Sequence, residues 1–201
     1  MTLELEAGLA RLENDGRIGE LPAVLTLQSA VDTTVPAISS LRRLYGRLQS
    51  PGNELVVFDV NRMAQLEILL RPGVNELVDV LRGDRSFPFE VTLVTNADPE
   101  SREVVAAHRV PGSTIWVEEP LELAWPAGIF SLSHVGVPFP PDDPIYGRED
   151  WGDDFYPFGL FEPRGEPGMA AVPVTLLMRL RFNPFFPYLE RRTKEFLAGG
   201  G

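Results

Sequence analysis

The 201-residue sequence carries a net charge of −11, is 44% hydrophobic and 23% charged, and contains no cysteine. That is enough apolar material for one domain with its own core, and no composition break points to a second. Disulfides, thiolate catalysis and sulfur-ligated metal are excluded, and the acidic balance argues against nucleic acid or an anionic lipid surface as partner, because the field of the protein repels both.

The first 22 residues, MTLELEAGLARLENDGRIGELP, place acids in the opening turn and show neither a basic lead nor an unbroken apolar stretch, so no signal peptide is expected. No segment is long enough to span a bilayer, and a cytoplasmic location is expected. Leu3, Leu5, Leu9 and Leu12 recur at near-helical spacing until Asn14-Asp15-Gly16 stops them. After Pro22 the run AVLTLQS has strand length and composition, and residues 30–36 read as a loop. Ile38, Leu41, Leu44, Tyr45 and Leu48 restore helical spacing, which Pro51-Gly52-Asn53 ends.

Residues 54–60, ELVVFDV, form a continuous apolar run of the kind expected for a parallel strand covered on both faces. A helix is predicted over 75–82, a strand over 89–94, a turn at Thr95–Pro99, and a helix over 100–109. Short strands are predicted at 115–117 and 129–132. Beyond His134 the texture changes: Pro138, Pro140, Pro141 and Pro144 precede the aromatic WGDDFYPFGLF, a helical stretch begins near Pro173, and Pro184, Pro187 and a glycine run close the chain. The sequence thus predicts a single α/β domain over 1–201, a partial, mostly parallel sheet flanked by helices, with 137–201 as a proline- and aromatic-rich loop and terminal helices.

Asp32 and His134 each follow an apolar strand, at the edge where open α/β sheets place their sites. A carboxylate there can orient an imidazole, and the imidazole can take a proton from a nucleophile and return it to a leaving group. Two plainer roles stand beside this one: Asp32 as a cap for the helix beginning near Pro36, and His134 as a structural donor to a backbone carbonyl. His108, in VVAAHRV, reads as a partly exposed residue near a helix end. Asp142-Asp143 and Asp153-Asp154 lack the ligand cadence and glycine of a calcium loop and read as solvated turns, so no metal or cofactor is expected. Trp116, Trp125, Trp151 and their aromatic neighbours read as core.

VLTLQSAVDTTVP resembles the acid-bearing segment of α/β-hydrolases, and SLSHVGVPFPPDDPIYG resembles the histidine segment of a bacterial branch of that superfamily. The resemblance implies the C-terminal half of a serine hydrolase acting on a small ester or similar acyl bond, with Asp32 as triad acid and His134 as triad base. Roughly seventy residues separate the FDVNR segment from His134, which brings in Asp98 of VTNADPE as a competing acid, with Asp32 preferred. No G-x-S-x-G pentapeptide occurs; Ser29, Ser131 and Ser133 lack flanking glycines, and Ser113 has one on a single side. Only 31 residues precede Asp32, too few for the first half of such a sheet, the nucleophile elbow and the oxyanion loop. The chain is therefore expected to be inactive alone and to pair with a missing N-terminal half, or else to be a non-catalytic module or a degenerate hydrolase that associates, with itself or a partner, through an open sheet edge.

Overall fold

Strand β2 (Glu54–Phe58) is buried at every residue, and the reason is visible in how its side chains alternate. Leu55 and Val57 join one apolar cluster, while Val56 and Phe58 join another on the opposite face of the sheet. A strand covered on both sides has no polar face, which is why its sequence reads as an unbroken apolar run. The computed structural model describes residues 2–30, 32, 35–48, 50–63, 75–126, 139–144 and 182–199.

Around β2 the chain builds a five-stranded sheet in sequential order: β1 (Leu25–Ser29), β2, β3 (Glu90–Asn96), β4 (Glu103–Arg109) and β5 (Val117–Ala124). β1, β2 and β3 run parallel, whereas β4 and β5 are added as antiparallel hairpin strands. The architecture is α/β with a mixed open sheet, parallel on one side and antiparallel on the other. Helix α1 (Thr2–Asn14) leads the chain, and α2 (Ala37–Ser39), which passes into a π-helical turn (Ser40–Tyr45), connects β1 to β2. Helix α3 (Glu76–Arg82) precedes β3. Leu41, Tyr45, Leu77 and Leu81 from this helical layer cover one face of the sheet. The other face is covered by α4 (Phe186–Gly199) and the residue before it, through Phe185, Tyr188 and Leu189. The Trp125 and Phe185 rings meet edge to face at 4.9 Å, and Phe58 lies 6.0 Å from Phe185.

Two predicted elements change. The helix expected over 100–109 is strand β4, because Asp98 and Pro99 form a reversing turn rather than opening a helix. The Glu100 N–H donates to the Asp98 carboxylate at 2.8 Å, and the Ala97 N–H donates to the Glu103 carbonyl at 2.8 Å. Val104 and Ala106 then face the α4 layer while Ala107 faces the α3 layer, so tertiary burial on two sides overrides the helix propensity of the alanines. The short strand expected at 115–117 instead starts at Val117 and runs eight residues. At the C-terminus, Pro187 does not end structure; it sits in the first turn of α4, where its missing N–H costs nothing. The strand expected at 129–132 and the helical stretch LLMRLRF through residue 181 lie outside the described residues.

Candidate functional site

The parallel strands β1, β2 and β3 deliver their carboxyl ends to one rim of the sheet, and polar residues gather there. β1 runs out through the Ala30 N–H, which donates to the Phe58 carbonyl at 2.8 Å. Asp32 follows outside any helix or strand, half-buried, with its own N–H donated to the Ser29 carbonyl at 3.3 Å. Its Oδ1 accepts the Val35 N–H at 3.0 Å. Helix α2 starts at Ala37 without a side-chain cap, so Asp32 closes the loop in front of the helix rather than capping the helix itself.

Just past the end of β2, the strand paired with β1, lies a second carboxylate that the sequence pattern does not single out. Asp59 is 2% exposed and fully engaged. Its Oδ1 accepts the Val60 N–H at 2.8 Å and Arg62 Nη2 at 2.6 Å; its Oδ2 accepts Arg62 Nε at 2.8 Å and the Thr95 hydroxyl at 3.0 Å. Arg62 Nη1 reaches Asn75 Oδ1, and the Arg62 N–H donates to Asn96 Oδ1 at 2.6 Å. Asn96 in turn donates to Asn61 Oδ1 at 3.0 Å and to the Ser101 carbonyl at 2.7 Å. Four donors on one carboxylate leave Asp59 no lone pair for an imidazole, so this network braces the rim and does not supply a proton relay. The signal for it was the tetrapeptide Asp59-Val60-Asn61-Arg62 directly behind a buried strand, where Asp59 was read as part of the strand.

Asp98 is exposed, and its carboxylate is bonded within the β3–β4 turn. His134, Ser131, Ser133, Trp151 and Asp153-Asp154 lie outside the described residues. Of the two sequence-predicted triad residues the described structure therefore locates Asp32 alone. Asp142 and Asp143 follow Pro140 in a turn closed by the Asp143 N–H on the Pro140 carbonyl at 3.1 Å. Among the described residues no group of three or more histidines, cysteines or carboxylates is arranged to hold a metal ion, and no helix is long and apolar enough to cross a membrane.

The opposite end of the sheet holds a charged cluster. Glu54, first residue of β2, is 1% exposed and is gripped by Arg192 of α4, with Nε on Oε1 at 2.7 Å and Nη2 on Oε2. Burial pushes the Glu54 carboxyl above its ordinary range; the Arg192 hydrogen bond and charge pull it back without cancelling the effect. The same bond holds Arg192 protonated. His108 joins from β4, with Nδ1 3.0 Å from the Thr92 hydroxyl and Nε2 3.4 Å from Glu119. This hydroxyl, imidazole and carboxylate sit on three adjacent strands, but Thr92 is 0% exposed, so no substrate reaches its oxygen. His108 belongs to a strand, not to the helix end expected for it, and its role is to tie strands together.

Comparison with family models finds no match, and comparisons with curated proteins and with solved structures likewise find none.

Proposed function

We propose that the chain supplies the acid and the base of a serine hydrolase acting on a small ester or similar acyl bond, with the nucleophile contributed by polypeptide outside these 201 residues. The observation that carries the reading is the setting of Asp32: it follows a parallel strand at the carboxyl rim of an open α/β sheet and is half-buried. In this reading His134 takes the proton of an attacking serine and delivers it to the leaving alkoxide, and Asp32 stabilises the imidazolium that forms between the two steps. The geometric demand is that the Asp32 carboxylate come within hydrogen-bond reach of the His134 ring.

The test is to co-produce the chain with the polypeptide encoded directly upstream of Met1 and to challenge the pair with a fluorophosphonate and a chromogenic acetate ester. A labelled serine and ester turnover are expected from the pair and from neither part alone. His134→Ala should lower turnover by roughly a millionfold and Asp32→Asn by roughly ten-thousandfold. Turnover that survives His134→Ala overturns the reading.

A second reading is favoured by the contrast between the two sheet edges. β5 is guarded by Glu118, Glu119, Pro120 and Glu122, by a register shift opposite Val104 and Val105, and by a positive φ of 55° at Glu122. β1, with the sequence LTLQS, carries no charge, proline or bulge, and among the described residues no strand pairs with its outer side. On this reading the chain is a binding module that accepts a strand at β1. A monomer that elutes at its own mass at high concentration and captures no strand-bearing partner counts against it.

A further inference from the structure

At the exit of β1 the two backbone groups of one residue, the N–H and the carbonyl of Val35, are held by different side chains. Gln28 is 5% exposed; Val24 and Ala30, which share its face by strand alternation, pack against the α2 and α3 layer. Its Nε2 donates to the Val35 carbonyl. The Val35 N–H donates to Asp32 Oδ1 at 3.0 Å. Val35 is 49% exposed, so its backbone rather than its side chain anchors it. The loop is thus tied to the sheet at its entry, through Ala30 on Phe58, and at its exit, through Gln28 on Val35.

We propose that Gln28 is the positioning residue for the Asp32 carboxylate, acting through the backbone of Val35. The inference rests on the reading of Asp32 as the triad acid. A buried amide is suited to this work, because it is a neutral donor long enough to cross from the strand to the loop exit. Methionine matches its length without a donor and leaves the Val35 carbonyl without this partner. Glutamate matches its shape but donates only when protonated, which turns the clamp into something that pH can open.

The test uses the full chain, isotopically labelled, with NMR detection of the Val35 amide and the Asp32 side-chain carboxyl carbon. In Gln28→Met, exchange at Val35 should rise about tenfold and the Asp32 carboxyl resonance should move, while the Val56 and Leu93 amides of the sheet keep their protection. In Gln28→Glu both signals should track pH together, approaching the wild-type pattern as the introduced carboxyl takes up its proton and departing from it as the proton is lost. Unchanged Val35 exchange and an unmoved Asp32 resonance in a folded Gln28→Met chain overturn the proposal. If Gln28→Met loosens the whole sheet, Gln28→Glu decides the matter, because loss of packing alone would not follow the protonation of one side chain. These signals report the setting of the carboxylate and not turnover, so this proposal can fail while the labelling experiment succeeds, and the reverse.

Discussion

Arg192 stands 138 residues from Glu54 in the chain, yet its guanidinium closes on that carboxylate with two parallel hydrogen bonds at the buried start of the central parallel strand. The pair fixes where α4 lies on the sheet. Tyr188 and Leu189, one turn earlier on the helix, supply the apolar contact, and Arg192 supplies the register.

Removing one partner of such a pair leaves a charge stranded in the interior. Arg192→Met is expected to cost about 3–5 kcal/mol at neutral pH, measured by urea denaturation. The sign of its pH dependence follows from Glu54. A carboxyl whose folded-state pKa is raised by burial lowers stability by an amount that is absent below the unfolded value, grows as pH rises from the unfolded to the folded value, and is constant above it. Loss of Arg192 raises that folded value further. The gap between variant and wild type should therefore narrow as the pH is lowered toward the ordinary glutamate range, and Glu54→Gln combined with Arg192→Met should recover much of the loss at neutral pH. A gap that stays constant with pH would mean that Glu54 is not the group left stranded.

The brace at the carboxyl rim predicts a different profile. Asp59→Ala removes the acceptor for Arg62 Nε and Nη2 and for the Thr95 hydroxyl, taking a buried carboxylate away from a guanidinium that is 16% exposed. A loss of about 3 kcal/mol is expected, which for a chain of this size lowers the melting temperature by roughly 6–12 °C. Thr95→Val, which removes one neutral hydrogen bond, should cost about 1 kcal/mol. Equal losses from the two would show that the guanidinium is not held mainly by Asp59.

The parallel strands could be read from the sequence because burial on both faces leaves an unbroken apolar run, as in Leu55-Val56-Val57-Phe58, and because Pro51-Gly52 and Asn14-Asp15-Gly16 punctuate the chain. β4 was misread for the same reason. Val104-Val105-Ala106-Ala107 is equally apolar in both periods, and only its partners on β3 and β5 make it a strand. Asp32 was legible as a loop carboxylate behind β1, because the turn begins where the apolar run stops. Asp59, one residue beyond an apolar run, looked like more strand, and its commitment to Arg62 and Thr95 depends on folding that local pattern does not encode. Glu54 and Arg192 lie beyond any local pattern, being joined only when α4 returns to the sheet. Gln28 carried no motif at all; what marks it is a buried amide bonded to Val35.

The apolar contact under α4 gives a prediction with its own optical readout. Phe185 is 0% exposed and touches both Trp125 and Phe58, so Phe185→Ala should cost about 3–5 kcal/mol through lost burial and the cavity left behind. Trp125, 1% exposed in the wild type, should gain contact with water and shift its emission to longer wavelength. Phe185→Leu should recover about half of the loss, because it refills part of the volume while giving up the ring contact. Unchanged emission in Phe185→Ala would mean that Trp125 is shielded by groups other than this ring.

Arg109 tests a buried cation that pairs with no carboxylate among the described residues. Its side chain is 2% exposed and lies between two aromatic faces, with Cζ 5.1 Å from the Phe87 ring centre and 4.6 Å from that of Trp116. Nη1 donates to the Gly83 carbonyl at 3.3 Å and Nη2 to the Arg85 carbonyl at 3.1 Å, so the guanidinium satisfies the backbone just past the end of α3 while its charge is offset by two ring quadrupoles. Burial lowers its pKa, as expected for a cation taken out of water. Lysine keeps the charge but has neither the planar fork nor the flat face. Arg109→Lys should therefore destabilise the chain by about 2 kcal/mol, and Arg109→Met, which keeps the aliphatic stem and removes both charge and donors, by a similar amount. If Arg109→Lys proves neutral while Arg109→Met does not, charge alone holds this junction; if both are neutral, the two carbonyls find water and the aromatic stacking contributes little.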